Sequence, residues 1–209
     1  MLTLQTALAF FGVSMLLGIT PGPDNIFVLV QSATYGKRAG MLVVLGLCTG
    51  LVVHTTAVAF GLAAVFAASE SAFVVLKMLG AGYLAYLAWG ALRAPAGDNS
   101  SGTTGTAMQD MQLYRRGIFM NLTNPKVVFF FLAFLPQFVD AKQGSVAMQL
   151  GALGAIFILA TLVTFGAVSY FAATLGERLR SSAAAQQWMN RMAGVVFLGL
   201  ALKLVFAQR

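Results

Sequence analysis

Charge is what this sequence has least of. Only 9% of its 209 residues are Asp, Glu, Lys or Arg, whereas a soluble domain carries about 25%. No such residue occurs at positions 39–69 or 143–176. A transmembrane helix needs about 20 mostly apolar residues, so either run is long enough to cross a bilayer. The composition excludes an ordinary soluble domain and predicts an integral membrane protein.

Cysteine and histidine are also scarce, since the chain has one of each, Cys48 and His54. One cysteine excludes an internal disulfide, and a metal site needs several Cys, His or carboxylate ligands. We therefore expect no metal and no cofactor. The net charge of +7 would suggest a nucleic-acid partner in a soluble protein. Here the basic residues lie between apolar segments, where membrane topology explains them, so we expect a lipid bilayer and no nucleic acid.

The chain contains six apolar segments, at positions 4–30, 39–67, 72–92, 117–139, 145–175 and 192–207. Backbone polar groups cannot stay unpaired in hydrocarbon, so apolar runs of this length must be helices. The first segment has no basic residue ahead of it and is too long for a signal peptide, so we treat it as a span. The sequence predicts an all-α fold, a polytopic transmembrane helical bundle with about six spans. A count of five would move the C-terminus to the cytoplasmic side.

Lysine and arginine are concentrated in alternate loops. They follow the first, third and fifth apolar segments, and loops of this kind face the cytoplasm. Both termini are then predicted to lie outside a multi-pass protein of the cytoplasmic (inner) membrane. The basic residues concerned are Lys37, Arg38, Arg93, Arg115, Arg116, Arg178, Arg180 and Arg191.

A polar stretch at positions 94–114, rich in Gly, Ser, Thr and Asp, predicts a flexible cytoplasmic linker. It separates a first half, residues 1–93, from a second half, residues 115–209, and each half has three predicted spans. An odd number of spans gives the two halves opposite orientations. A 3+3 inverted repeat, which is a recurrent transporter architecture, is therefore expected.

Two spans are interrupted by turn-forming residues. The first contains Thr-Pro-Gly-Pro-Asp-Asn at 20–25, and the fourth contains Asn-Leu-Thr-Asn-Pro-Lys at 121–126. Proline inside a helix removes a hydrogen bond and clashes with the preceding turn, while a cap followed by proline starts a new helix. We predict that helices 1 and 4 are broken and that each break offers free backbone groups inside the membrane. The residues at the predicted breaks are Pro21, Gly22, Pro23 and Pro125.

Asp24 and Lys126, one at each break, are the candidate substrate-binding charges. A charge at the centre of a membrane helix costs about 2.5–3.5 kcal/mol, and pairing the two would reduce that cost. With substrate present, the carboxylate and the ammonium could separate to bind the ammonium and the carboxylate of an amino acid. Alternatively, Lys126 extends to the cytoplasm and Asp24 only caps a helix. The polar residues beside them could bind substrate or satisfy unwound backbone; these are Asn25, Asn121 and Asn124.

His54 lies deep in the second span and shares a helix face with Gly46 and Gly50. Histidine can change charge near neutral pH, which suits proton coupling, with Asp24 as a second candidate. A hydrogen-bonded packing role is the alternative, because small residues on that face permit close helix contact. The Phe129–Phe130–Phe131 run is interpreted as lipid-facing or packing surface. Weaker site candidates are Gln31, Gln137, Thr161 and Thr164.

These motifs, taken in order, resemble the lysine exporter (LysE) superfamily, in the RhtB-type branch named for homoserine and threonine resistance. The resemblance covers almost the whole chain. Its motifs are the segment 20–25, the Gly-Lys-Arg-Ala-Gly at 36–40, the Gly46, Gly50 and His54 series, and the segments 76–84, 121–126 and 131–138. It implies an inner-membrane exporter of small amino acids or derivatives, such as homoserine, its lactone or threonine, driven by the proton gradient. Glycine-rich helix faces would also allow a homodimer.

Two other classes of function compete with amino-acid export. A membrane-embedded enzyme would need metal ligands that this composition lacks, or a Ser–His pair involving His54, for which there is no nucleophile turn. An exporter of an inorganic ion would be expected to have more intramembrane carboxylates than Asp24 alone. We therefore predict a transporter and not an enzyme.

Overall fold

The computed structural model describes residues 2–20, 22–68 and 109–180, together with single positions between 75 and 93 and between 191 and 205. Within these residues the chain is helical apart from short connections, which confirms the predicted all-α class. The helices are α1 (Leu4–Ile19), α2 (Pro23–Tyr35), α3 (Lys37–Ala68), α4 (Asp110–Thr123), α5 (Pro125–Phe129) and α6 (Val146–Arg180). A π-helical stretch at Phe130–Phe134 and 3-10 turns at Leu135–Phe138 and Ala141–Gln143 complete the described elements.

Four of the six predicted spans fall on well-described helices. Lys37–Gly61 and Val146–Thr174 are long and apolar enough to cross a membrane, and two bent helix pairs each fit one further span. The described positions between 75 and 93, and between 191 and 205, are also helical, as expected for the third and sixth spans. Most of those two spans lies outside the described residues, so the inverted repeat stays a prediction.

The first span is broken between α1 and α2, whose axes differ by 66°. Gly22 is the N-cap of α2, with extended backbone, and Pro23 occupies the first helical position. Proline is tolerated there because its missing N–H would have no partner inside the helix anyway. The expected cap-then-proline restart is therefore present at Gly22. Pro21, the other predicted break residue, lies outside the described residues.

The fourth span is broken at Asn124, where α4 ends and α5 begins with a bend of 51°. Asn124 caps α5, since its Oδ1 accepts a hydrogen bond from the Lys126 backbone N–H at 3.0 Å, and Pro125 follows at the first helical position. Downstream, the Leu135 N–H bonds to the Phe130 carbonyl, five residues back. Pro136 explains this π-helical stretch, because a proline cannot bond to the carbonyl four residues earlier and displaces it.

The start of α4 corrects one predicted boundary. The polar stretch 94–114 was expected to be linker throughout, and its residues 94–108 lie outside the described part, but Asp110–Thr123 is helical. Gln109 and Gln112 form a capping box at this start, with each side chain accepting from the other's backbone N–H. Side chains that satisfy the first orphan N–H groups stabilise a helix start. This capping overrides the polar composition on which the linker boundary was based.

Glycines bring α3 and α4 into close contact, as the Gly46, Gly50 and His54 series predicts. A Cβ added at Gly46 would strike the Tyr114 carbonyl oxygen and come within 3.0 Å of the Gly117 Cα. One added at Gly50 would come within 2.6 Å of the Asn121 Oδ1. The two backbones can therefore approach only because these positions lack side chains. This contact presents the end of α4 to the centre of the bundle.

Helix α6 packs against α1, α2 and α3, and an aromatic cluster fills the space between it and the fourth span. Phe10 of α1 and Phe157 of α6 meet Phe130, whose ring lies 5.9 Å and 5.1 Å from theirs. Phe130 and Phe131 are fully buried. Of the two interpretations of the phenylalanine run, packing is therefore correct for these two residues.

The loop before α6 is held by Asp140 and Gln149. Asp140 Oδ1 accepts from the Lys142 backbone N–H at 2.9 Å and Oδ2 accepts from the Gln143 side chain at 3.0 Å. These bonds to the charged form hold the pKa of Asp140 below its usual value, and the Lys142 N–H contributes most. Gln149 Nε2 donates to the Asp140 carbonyl at 2.9 Å. The loop is thus ordered by polar contacts at the end of the bundle.

Candidate functional site

The two helix breaks lie against each other and join their charged residues. Asp24 stands in the first turn of α2 and Lys126 in the first turn of α5. Lys126 Nζ lies 3.6 Å from Asp24 Oδ1, and the two side chains are only 6% and 5% exposed. The alternative in which Lys126 extends to the cytoplasm is therefore wrong for this structure. The predicted pairing is present, while substrate binding by the pair stays a prediction.

The ammonium group of Lys126 also contacts the end of α1. Its Nζ lies within 3.4 Å of the Leu17 carbonyl oxygen and 3.2 Å of the Thr20 carbonyl oxygen, and 3.4 Å from Asn25 Oδ1. The last carbonyls of a helix have no partner inside it and carry its negative dipole end. Lys126 neutralises this end from the opposite half of the chain. The break in the first span is thus completed by a residue of the fourth.

Asn25 connects the two sides of the first break. Its backbone N–H donates to Asp24 Oδ1 at 3.1 Å, and its Nδ2 donates to the Gly18 carbonyl at 2.6 Å. Its Oδ1 faces the Lys126 ammonium. Asn25 therefore binds a carbonyl in the last turn of α1 and contacts both charges, while substrate binding by Asn25 stays a prediction.

Asn121 and Asn124 are buried beside the second break, and each keeps one polar atom without a hydrogen-bond partner among the described residues. These atoms are Asn121 Oδ1 and Asn124 Nδ2. An unsatisfied buried polar atom costs about 1–3 kcal/mol, so each needs a reason to be retained. Asn124 has one as the cap of α5. Asn121, which is 2% exposed, lines the cavity beside Asp24 and Lys126.

His54 reaches this site only through Asn121. Its Nε2 lies 3.3 Å from the Asn121 backbone oxygen, and a carbonyl can only accept, so Nε2 carries the hydrogen. The ring also packs on Phe131, with 5.5 Å between centroids. The structure thus gives His54 the hydrogen-bonded packing contacts that were its alternative role. Its part in proton coupling stays a prediction.

A small cavity lies between the two breaks and α6. Its polar lining comes from Asp24, Lys126, Asn121 and Thr161, and the rest is mainly apolar. The space suffices for about one water molecule, so the helices around it must move apart before an amino acid can enter. The other lining residues are Leu17, Gly18, Leu47, Val127, Phe157 and Phe165.

Thr161 and Thr164 have different roles on α6. The Thr164 hydroxyl donates to the Ala160 carbonyl at 2.7 Å, as most helical threonines here do to the carbonyl four residues back. Thr161 lines the cavity, and its hydroxyl forms no hydrogen bond within the described part of the chain. The sequence analysis treated Thr161 and Thr164 alike and did not identify Phe157 and Phe165 as lining residues. Phe157 and Phe165 each lie four residues from Thr161, on one face of α6, and this spacing could have indicated that they line the cavity.

The two glutamines among the weaker candidates lie away from the cavity lining. Gln31 is buried, and its Oε1 lacks a hydrogen-bond partner in the described structure. Gln137 donates to the Ala133 carbonyl at 3.4 Å within the turn that follows the π-helical stretch. Neither side chain borders the cavity.

Comparison with known proteins decides the family. The model of the LysE type translocator family matches residues 13–208. The chain belongs to this family. A homoserine/homoserine lactone efflux protein of Salmonella typhimurium is 35% identical over 178 residues, which cover 85% of this chain and 84% of the relative. The corresponding efflux protein of Salmonella typhi is equally similar over the same shares. No solved structure matches.

Another relative of this LysE type protein is an uncharacterized membrane protein of Vibrio cholerae. It is 30% identical over 204 residues, which cover 96% of this chain and 97% of the relative. Since both lengths are almost fully covered, the similarity extends over the whole helical bundle. Membership of the LysE type family confirms the resemblance drawn from the motifs and establishes a multi-pass membrane protein of a translocator family.

Proposed function

We propose that this protein is a secondary transporter that exports small amino acids or their derivatives across the cytoplasmic membrane. The observation that carries the proposal is the buried Asp24–Lys126 pair, which joins two broken helices beside a cavity. Broken helices from both halves of a chain are a recurrent setting for transporter sites. The family match and the names of the Salmonella relatives support the same conclusion.

The pair offers complementary groups for a zwitterion. A carboxylate such as Asp24 binds an α-ammonium, and an ammonium such as Lys126 binds an α-carboxylate. Each charge is compensated by the other when substrate is absent and by substrate when it is present, so neither state contains an unpaired buried charge. Asn121, with its free Oδ1, can add a hydrogen bond to the bound ligand.

The remaining lining suits a short side chain with one polar group. Leu47, Phe157 and Phe165 form apolar walls, and Thr161 is the polar residue of α6 in the lining, so its hydroxyl is the candidate group for a hydrogen bond to substrate. A site that can hydrogen-bond a substrate hydroxyl discriminates against analogues that lack it. Homoserine and threonine fit this description, whereas homoserine lactone fits it less well because its hydroxyl and carboxylate are joined in the ester.

Energy for export would come from protons moving inward in exchange for substrate. Besides Lys126 itself, the titratable groups proposed for coupling are Asp24, which contacts this site directly, and His54, which contacts it through the Asn121 carbonyl. Protonation of either would change the charge balance around Lys126. Proton antiport is therefore the proposed coupling, with Asp24 as the group nearest the site.

The proposed orientation has both termini outside and the basic loops in the cytoplasm. Arg38, at the start of α3, pairs with Asp110 at the start of α4, so the first loop and the end of the 94–114 stretch lie on one side of the bundle. Arg116 of α4 lies over the Phe27 ring of α2, 5.1 Å from the ring centroid. This common side agrees with one cytoplasmic face rich in basic residues.

The test is efflux from cells preloaded with a labelled amino-acid mixture. We expect wild type to export one or a few amino acids, and Asp24→Asn and Lys126→Ala each to reduce that export to the level of cells without the protein. The matched controls are Asp110→Asn and Arg38→Ala, which remove the same charge types from the exposed pair and should export normally.

Membrane insertion of every variant is checked by quantifying protein in isolated membranes. Wild-type export by correctly inserted Asp24→Asn or Lys126→Ala would refute the zwitterion site. Identical profiles with and without wild-type protein would refute amino-acid export, and assays of inorganic ions and other metabolites would then take its place.

A further inference from the structure

The oxygen atoms around the Lys126 ammonium form an unusual set. Two are backbone carbonyls at the end of α1, from Leu17 and Thr20, at 3.4 Å and 3.2 Å. The third is Asn25 Oδ1 at 3.4 Å, and the fourth is Asp24 Oδ1 at 3.6 Å. We call these four atoms the oxygen cage. An ammonium has three hydrogens, so the cage has more acceptors than one lysine can use at a time.

All four oxygens belong to residues 17–25, the break in the first span, and none belongs to the fourth span that supplies the lysine. The carbonyls are held by the helix end, and Asn25 is held by its bond to the Gly18 carbonyl. The cage is therefore a property of the first break, and Lys126 is its occupant. Carbonyls at the end of a half-helix, together with a carboxylate, are a general arrangement for binding a cation in a membrane protein.

Gly22 keeps the cage open on one side. A Cβ at this position would lie 2.7 Å from Asp24 Oδ1 and 3.1 Å from the Lys126 Nζ. The first distance is too short for a Cβ and the second is tight, so a methyl group here would displace the Asp24 carboxylate or the group bound beside it. The absence of a side chain thus keeps this side of the cage unobstructed.

We propose that the oxygen cage is a binding site for a primary ammonium group, filled by Lys126 when the transporter is empty and by the α-ammonium of the substrate when it is loaded. The second half of this statement rests on the proposed function, whereas the first does not. Lys126 leaves the cage to hold the substrate carboxylate, and the substrate ammonium replaces it. The buried Asp24 carboxylate therefore keeps a cationic partner in both states.

The cage can be tested without any amino acid. In Lys126→Ala the ammonium and its stem are removed, and methylammonium becomes the smallest probe that restores the missing group. Tetramethylammonium carries the same charge but has no N–H donor, so it controls for ionic strength. We expect the purified full-length Lys126→Ala protein to unfold at a higher temperature in methylammonium chloride than in tetramethylammonium chloride. Wild type should show no such difference.

Three variants separate the cage from nonspecific effects. Lys126→Met removes the charge but keeps a long side chain in the space, so methylammonium should not stabilise it. Asp24→Asn/Lys126→Ala lacks the carboxylate and should lose the amine effect, and Gly22→Ala/Lys126→Ala should lose it because the added methyl group enters the cage. If Lys126→Ala requires an amine to stay folded, purification in methylammonium and exchange into tetramethylammonium gives the same contrast, with unfolding only after exchange.

Equal melting temperatures in the two salts for Lys126→Ala, or equal stabilisation of Lys126→Ala and Lys126→Met, would overturn the proposal. Stabilisation of Lys126→Ala by sodium chloride but not by methylammonium would also overturn it, since the cage would then select a metal ion. Failure of amino-acid export with a positive amine result would contradict the proposed function and leave the cage intact. Amino-acid export without any effect of methylammonium on Lys126→Ala would support the proposed function and contradict the cage.

Discussion

The described residues form two ion pairs, one exposed and one buried. Comparing them shows that the distance between two charges does not by itself decide how much a pair contributes. Arg38 and Asp110 are 2.5 Å apart, with side chains 83% and 54% exposed, whereas the buried Asp24 and Lys126 lie 3.6 Å apart. An exposed pair contributes about 0–1 kcal/mol because water already solvates both charges. Removing one partner of a buried pair costs about 3–5 kcal/mol, since the other is left without compensation. The longer pair is thus the one whose loss we expect to cost more stability.

The surroundings explain the difference between the two pairs. Arg38 and Asp110 lie at helix starts at the end of the bundle, where either side chain can turn to solvent. Lys126 is surrounded by oxygens of the first break, and the Asp24 carboxylate accepts the Asn25 N–H. The pair of Arg38 and Asp110, the outer pair, is a contact between two exposed side chains. The pair of Asp24 and Lys126, the inner pair, is also bonded to backbone groups at the break in the first span.

Exchanging the partners should break the inner pair and spare the outer one, and this is the largest expected effect. In Asp24→Lys/Lys126→Asp a carboxylate would face the Leu17 and Thr20 carbonyls, and a cation would stand at the positive end of α2. We expect export to fall to background in the efflux assay. Arg38→Asp/Asp110→Arg, the matched exchange, should export normally. Normal export by the inner exchange would contradict the asymmetric environment described here.

Adding a methyl group against Asn121, which lies beside the inner pair, should reduce export less than the exchange does. In Gly50→Ala the new methyl group would come within 2.6 Å of Asn121 Oδ1, and overpacking of this kind costs about 1–3 kcal/mol. We expect a clear loss of thermal stability and reduced export, because Asn121 must move within the cavity lining. Gly61→Ala on the same helix is the control, since no atom lies within 4 Å of its added Cβ. Equal stability of the two variants would argue against the close α3–α4 contact.

Substitution of His54 tests whether a titratable group that does not touch the inner pair can act on it through Asn121. His54→Gln keeps a donor for the Asn121 carbonyl but cannot gain a proton near neutral pH. If His54 carries protons, the pH dependence of export measured in vesicles should flatten while transport at the optimum changes little. An unchanged pH profile would rule out a proton-carrying role and leave the packing role.

Neutralising the outer pair should give the smallest effect. Asp110→Asn removes the partner of Arg38, and we expect a loss in the free energy of unfolding below about 1 kcal/mol, which should shrink further as salt is added. Thermal unfolding of the purified protein at low and high salt measures both. A loss as large as that of Asp24→Asn would show that exposure does not separate the two pairs.

Local features of the fold were predictable from sequence because their causes lie within a few residues. Proline has no backbone N–H and interrupts the hydrogen bonds of a helix, so the breaks at Pro23 and Pro125 could be predicted from short motifs. A cap directly before each proline was expected as well, and the structure places these caps at Gly22 and Asn124. The early start of α4 was missed because a Gln109–Gln112 capping box outweighed a polar composition.

The cavity wall was less predictable because it depends on which helices touch. Thr161 and Thr164 look alike in sequence, and rotation of α6 in the bundle decides that only Thr161 lines the cavity. The same rotation brings Phe157 and Phe165 to the site. Hydrophobic patterning gives little guidance here, since a membrane helix is apolar on its lipid face and on its packed face alike.

The amino-acid sequence by itself determined that this protein is a helical membrane protein with two broken spans and one charged residue at each break. Scarcity of charge and the chemistry of proline suffice for that. Only the tertiary structure decided that Lys126 contacts the oxygen cage of the first break, which lies more than a hundred residues earlier in the chain. The close approach of α4 to α3 through glycine, and the packing of α6 over α1 and α2, bring the two breaks together. No local pattern records such a contact, because the oxygens that compensate the buried ammonium belong to another helix, far away in sequence.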